Sequence, residues 1–192
     1  MAEESSGAIR EPQALRALAH PVRWKLIDLL TVRGQATATQ CAAALGESVA
    51  SCSHHLRMLA KYGFIEPAPT SNREKPWRMA SLRQNLTGVG PEGEHAAQAA
   101  TEVFLQHELA RLVERLRASR QEPPQWRDAT RFTGTTTWLD LDELRDVNDQ
   151  LHEIAQRYVE RIDDPSTRPP GAREVRIFVA TSVAPTGEHT DD

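Results

Sequence analysis

Residues 39–65 read TQCAAALGESVASCSHHLRMLAKYGFI. At helical period this is two short helices joined by a tight turn. Thr39 suits an N-cap, because its hydroxyl can accept from a free backbone N–H of the first turn. The first helix is expected from Gln40 to Leu45, with Gly46 ending it in the left-handed conformation that glycine adopts most cheaply. Ser48 can cap a second helix from Val49 to Tyr62, which Gly63 closes. Two helices joined by a short turn containing glycine make a helix-turn-helix.

The second helix divides into two faces. Val49, Cys52, Leu56 and Leu59 fall in one arc and are expected to pack on the first helix. The opposite arc carries Ala50, His54, Arg57 and Lys61, flanked by Ser51 and Met58, with Ser53 beside His54 in the chain. That face is small at its start and cationic toward its end. A helix entering a DNA major groove needs close approach first, then donors for bases and phosphates. The same residues would also serve as a plain solvated face, since Arg and Lys are usually exposed.

Working outward, residues 1–10 are expected to be disordered. Pro12 suits a first helical turn, and Leu15, Leu18 and Ala19 make a short helix ending near His20. Pro21 starts another, closing near Gly34. Gln35 to Ala38 is an extended link. After Gly63, Phe64-Ile65-Glu66 reads as a strand and Trp77-Arg78-Met79 as its return. A hairpin directly behind a helix-turn-helix is a wing. Its tip holds Arg73 and Lys75, with Arg78 at its base, where phosphate or minor-groove contact is expected. An ordinary solvated hairpin is the alternative.

The net charge of −4 conceals a split. Residues 1–83 hold 11 Lys+Arg against 7 Asp+Glu, and residues 84–192 hold 12 against 20. The basic excess thus coincides with the helix pair, where a polyanion would bind. No apolar run approaches the roughly 20 residues of a membrane span. The acidic start, MAEESSGA, lacks the regions of a signal peptide. A cytoplasmic protein without membrane partners is expected. The two cysteines, Cys41 and Cys52, point into the helix pair and are expected to be buried thiols rather than a disulfide.

Several pieces together carry a resemblance: AHPVR at the helix break, LGES at the turn, SHHLRML in the second helix, GFIE entering the wing and KPWRMA closing it. Residues 12–80 resemble the winged-helix domain of ArsR-type bacterial transcription regulators, in the branch common in actinobacteria. The resemblance implies sequence-specific binding of duplex DNA by a homodimer, usually as a repressor at a pseudo-palindromic operator. By position it implies Ser51, Ser53, His54 and Arg57 on the recognition helix and Arg73 and Lys75 in the wing as DNA-facing residues, to which the helix face adds Lys61 and the base of the hairpin Arg78. The thiolate pair of the metal-sensing members falls on Thr37 and Thr39, and neither hydroxyl replaces a thiolate for a soft metal. His95, His107 and Glu108 do not reproduce the spacing of the sensors that place ligands along a C-terminal helix. No metal and no cofactor are expected.

Residues 81–91 read as a linker. The formal G-x-G-x-x-G at 88–93 lacks the apolar strand a dinucleotide site requires. Residues 92–120 read as one long helix whose stripe of Ala96, Ala100, Val103, Phe104, Leu109, Leu112, Val113 and Leu116 suits dimerisation, with packing on its own C-terminal region as the alternative. Residues 121–128 read as a second linker. A C-terminal strand–helix–strand unit is expected over 126–183. Its first strand is near 130–139, its helix is capped by Asp140 and Glu143, and its second strand is near 174–182. Such an extension also resembles that actinobacterial branch. Trp126, Phe132, Trp138 and Tyr158 are its core or line an effector pocket. A polar, disordered tail over 184–192 closes the chain.

The expected fold class is therefore mainly α with a small β component (α+β). The expected function is transcription regulation through double-stranded DNA, with a small molecule as a further partner if the protein is tuned. A winged helix used for protein interaction or assembly is the alternative. No nucleophile–base pair, carboxylate pair or metal set at recognisable spacing points to an enzyme.

Overall fold

In a computed structural model, the structure describes residues 8–9, 11–70, 74–80, 85–86 and 90–185. The chain divides into two units, residues 1–123 and 124–192.

The first unit begins with a helix break. Helix α1 (Pro12–Leu18) and α2 (Pro21–Arg33) are separated by only two residues, Ala19 and His20. His20 caps α2, its Nδ1 accepting from the Val22 N–H at 3.3 Å, and Pro21 occupies a position where the missing N–H costs nothing. The carbonyls left open at the end of α1 are taken up from α2. Trp24 Nε1 donates to the Leu18 carbonyl at 2.8 Å, and the buried Arg23 guanidinium donates to the Ala17 carbonyl. The AHPVR stretch is thus a structural clasp.

Helix α3 (Ala38–Leu45) starts two residues earlier than expected, because its cap is Thr37 rather than Thr39. Thr37 Oγ1 accepts from Gln40 N, and Gln40 Oε1 accepts from Thr37 N at 2.8 Å. Thr39 has Ala42 three residues on and has no such reciprocal partner. Gly46 ends α3 at φ 68°, and Ser48 Oγ accepts from Ser51 N to cap α4 (Val49–Lys61). The helix-turn-helix stands as read.

A three-stranded antiparallel sheet of β2 (Gln35–Ala36), β3 (Ile65–Pro67) and β4 (Trp77–Met79) follows, in the order β2-β4-β3. The hairpin β3–β4 is the wing. The link before α3 adds β2 to it as a third strand, which the sequence reading missed. Two residues of the stretch expected to be disordered, Ala8–Ile9 (β1), pair in parallel with Asn85–Leu86 (β5) inside the expected linker. The remainder of 1–10 lies outside the described residues.

The core joins α1 to α4 and the sheet through Leu18, Leu26, Leu30, Cys41, Cys52, Leu56, Leu59, Phe64 and Ile65, all buried. Helix α5 (Gly90–Ala118) covers it with Ala96 and Ala100 buried and Trp24 and Phe104 in ring contact at 4.7 Å. The single stripe expected on α5 is therefore two. One side packs on α1 and α2, from buried Ala96 and Ala100 to His107 and Arg111 at Asp28. Leu105, Leu109, Val113 and Leu116 remain exposed.

The second unit departs most from expectation. The linker at 121–128 contains helix α6 (Pro124–Ala129). Helix α7 (Leu141–Gln156) has the foreseen capping box, with Asp140 accepting from Asp142 and Glu143 and Glu143 accepting from Asp140 N. The helix then breaks into a turn and α8 (Glu160–Asp163). Neither expected strand forms: among the described residues, 130–140 and 171–185 pair with no neighbour as a strand. The alternation of Val175, Ile177 and Val179 states only which side a strand would bury. A ladder also needs a second backbone. Phe132, Trp138 and Tyr158 are exposed, so these aromatics do not form a buried core. Residues 186–192 of the expected tail lie outside the described residues.

The fully buried Leu56 is a sharp test of this arrangement. Leu56→Ala should lower the unfolding free energy by about 2–5 kcal/mol, the cost of a cavity that neighbouring helices cannot refill. Urea unfolding measures it, and a loss well under 1 kcal/mol would contradict the core described here.

Candidate nucleic-acid interface

Helix α4 is positioned by its inner face. Cys52, Leu56 and Leu59 are fully buried and fix its rotation about its own axis. The opposite face is then set by helical geometry alone. Ala50, His54, Arg57 and Lys61 are all exposed, at the spacing of one face. They lie within 12 residues, or about 16 Å of axis, and no acid interrupts them. Ser51 and Ser53 flank this row and are half-buried.

The side chains on this face are only lightly engaged. Arg57 Nε donates to the Ser53 carbonyl one turn back at 3.1 Å. That bond lays the guanidinium along the helix. Lys61 Nζ lies 5.1 Å from the centre of the Tyr62 ring, a contact of modest energy at an exposed site. In the wing, Lys75 is exposed. Arg73 lies outside the described residues. Arg78 is exposed but paired: it faces Glu66 across the β3–β4 ladder, with Nη2 2.6 Å from Oε1. Phosphate contact by Arg78 would therefore compete with Glu66, which the sequence reading did not foresee.

Val49, expected on the inner arc, is half-exposed. It is the first residue of α4, beside the turn where α3 has already ended. His55 takes the inner place. It is buried, its ring 4.4 Å from that of His20 and 5.3 Å from that of His54. The signal was legible: position 55 is three after Cys52 and four before Leu59. His54 and His55 thus act separately, one facing out and one facing in.

The histidines line up from the α2 cap to the exposed face of α4, and the surroundings of His20 and His55 favour neutral rings. Burial, then the charges of His20, Arg23 and His54, push His55 down to about 4. Burial and Arg23 also lower His20. His55 Nδ1 is buried with no hydrogen-bond partner among the described residues, and adding a proton there would bury a charge. Both cysteines are free and buried, as expected. Burial, then Cys52, raises Cys41 to about 11, and burial raises Cys52, so both stay thiols near neutral pH.

Elsewhere on the unit, α5 meets α2 through a polar contact. His107 Nε2 lies 2.6 Å from Asp28 Oδ2, and Arg111 Nη1 lies 2.8 Å from Asp28 Oδ1 and 3.6 Å from Glu108 Oε1. Glu108 is buried. The sequence reading placed His107 and Glu108 on a long helix but could not pair them with Asp28, 79 residues from His107 in the chain. No helix among the described residues is long and apolar enough to cross a membrane.

Residues 18–68 match a family model described as a helix-turn-helix domain. These residues run from the end of α1 through α4 and into the wing, and they contain the face just described. A solved structure entitled "Possible transcriptional regulator for arsenical resistance" is similar at 29% identity, covering 53% of this chain and 94% of that one, with a TM-score of 0.32. No curated protein matches the chain.

His55 makes the domain sensitive to acid. Its folded-state pKa near 4 is below the ordinary 6.5, so the unfolded chain takes up the proton first. The stability it contributes is complete above about pH 6.5 and falls away as pH drops toward 4, by ~3 kcal/mol at most. Urea unfolding at pH 7 and pH 4.5 should show a smaller acid loss in His55→Leu than in the unaltered chain. Equal losses would rule out His55 as the source.

Proposed function

We propose that this chain is a sequence-specific, double-stranded DNA-binding transcription regulator of the ArsR type, acting as a homodimeric repressor in the cytoplasm. The observation that carries the reading is the outward face of α4. Ala50, His54, Arg57 and Lys61 form an exposed row free of acids, on a helix whose rotation is locked by a buried core. The match of residues 18–68 to a helix-turn-helix domain supports it.

In this reading α4 enters the major groove. Ala50 and Ser51 allow close approach at its start, His54 and Arg57 meet base edges, and Ser53 and Lys61 meet phosphates. The wing contributes Lys75 and Arg73 to the backbone or minor groove. Arg78 joins them where a phosphate outcompetes Glu66. The exposed ridge of Leu105, Leu109, Val113 and Leu116 on α5 is the natural seam for a second copy. A twofold pair of recognition helices then reads two half-sites about one helical turn apart. Repression follows from occupying a promoter. A small-molecule effector would act by favouring one arrangement of the pair, through the C-terminal unit or the dimer seam.

The residue assignment is tested by titrating a preferred duplex with Arg57→Ala and with His54→Ala. Losing a good contact to a base edge costs about 1–3 kcal/mol, so each variant should bind roughly 5- to 150-fold more weakly and discriminate less between duplexes. Unchanged affinity in both would mean that another face meets DNA, or that the winged helix serves a protein partner.

A further inference from the structure

We propose that Asp28, His107 and Glu108 form a binding site for a divalent cation of the zinc type, and that Arg111 is the resident counter-charge which the metal displaces. The site lies where α5 crosses α2. One ligand atom from each of the three side chains lies within 4.8 Å of the other two. Four-coordinate zinc holds its ligand atoms about 3.3 Å apart, since its bonds to nitrogen and oxygen are about 2.0–2.2 Å. The three donors are therefore within a side-chain adjustment of ligation. The tightest pair, His107 Nε2 and Asp28 Oδ2 at 2.6 Å, would open by less than 1 Å.

The donor set is one imidazole and two carboxylates, the kind that borderline divalent ions take. Three protein ligands leave a fourth position for water. Burial supplies the driving force. The Glu108 side chain is 1% exposed and stands near a second carboxylate. The same guanidinium nitrogen, Arg111 Nη1, serves both, at 2.8 Å to Asp28 and 3.6 Å to Glu108. Two carboxylates drawn partly from water are costly to hold, and a doubly charged ion between them adds attraction beyond that of the singly charged Arg111 guanidinium. Entry is open at the same edge, where the Asp28 side chain is 25% exposed and that of Arg111 17%. On this side Arg111 can swing toward solvent on its long stem.

Neither Thr37 and Thr39 nor a pair of histidines along one helix takes part. Asp28 comes from α2, which also packs against α4 and β4. A bound ion would therefore tie the long helix to the element directly behind the recognition helix. Asp28 and His107 are 79 residues apart in the chain, so no ligand spacing in the sequence announces this set.

The test is a titration of the full-length chain, stripped of metal by chelator, with Co²⁺ alone, followed in the visible spectrum. The expected result is saturation at one Co²⁺ per chain, with the strong d–d bands of four-coordinate cobalt and their loss on adding Zn²⁺. His107→Gln and Asp28→Asn should each weaken binding by at least about tenfold. Arg111→Met leaves every ligand in place and removes the competitor, so it should tighten binding. Uptake without saturation would overturn the proposal, as would equal affinity in His107→Gln, which would assign the ion to other histidines. If an amide variant does not fold, the wild-type titration and Arg111→Met decide the matter. Weaker or unchanged binding in Arg111→Met would refute the displacement of Arg111.

Discussion

The burial of one stripe of α4 is the constraint on which the rest depends. Cys52, His55, Leu56 and Leu59 are held against α2 and α3, with Cys41, Leu26 and Leu30 closing the core around them. A helix has one rotational freedom about its axis, and this stripe removes it. The outward row of Ala50, His54, Arg57 and Lys61 follows with no further instruction. Affinity for a groove requires donors fixed in advance, because ordering them on binding would cost conformational entropy. The apolar face of α4 thus supplies the precision that its polar face uses.

Everything packed behind α4 serves to hold that stripe. The α1–α2 break is clasped by Arg23 and Trp24, which take up the open carbonyls of α1. Helix α5 lies on α1 and α2, and its other side presents Leu105, Leu109, Val113 and Leu116. One helix therefore serves both the domain's own core and an exposed ridge. The Asp28–His107–Arg111 contact lies between these two roles. A change there would be felt by α2, and through α2 by α4.

Most of the first unit was legible because its signals are local. Gly46 and Gly63 mark helix ends, Ser48 a cap and Pro21 a start, and each acts within a few residues of itself. The wing was legible from the chain direction after Gly63. What escaped depends on partners distant in the chain: β2 joining β4, Glu66 engaging Arg78, and Asp28 meeting His107. His55 is a different kind of miss, since its helical position declared it internal while its residue type suggested otherwise. In the second unit, Asp140 and Glu143 announced α7 correctly because a capping box is self-contained. The expected strands at 130–139 and 174–182 rested on alternation alone, and alternation does not provide the neighbouring strand that makes a ladder.

The most direct test of the central claim is selection of bound duplexes from a random pool by the full-length protein at moderate salt. The account predicts enrichment of an inverted repeat whose half-sites are about one helical turn apart, as two copies presenting α4 would require. It also predicts steep weakening of binding as salt rises. A pool that emerges unenriched, with binding absent even at low salt, would contradict it and return the winged helix to the role of a protein-interaction module.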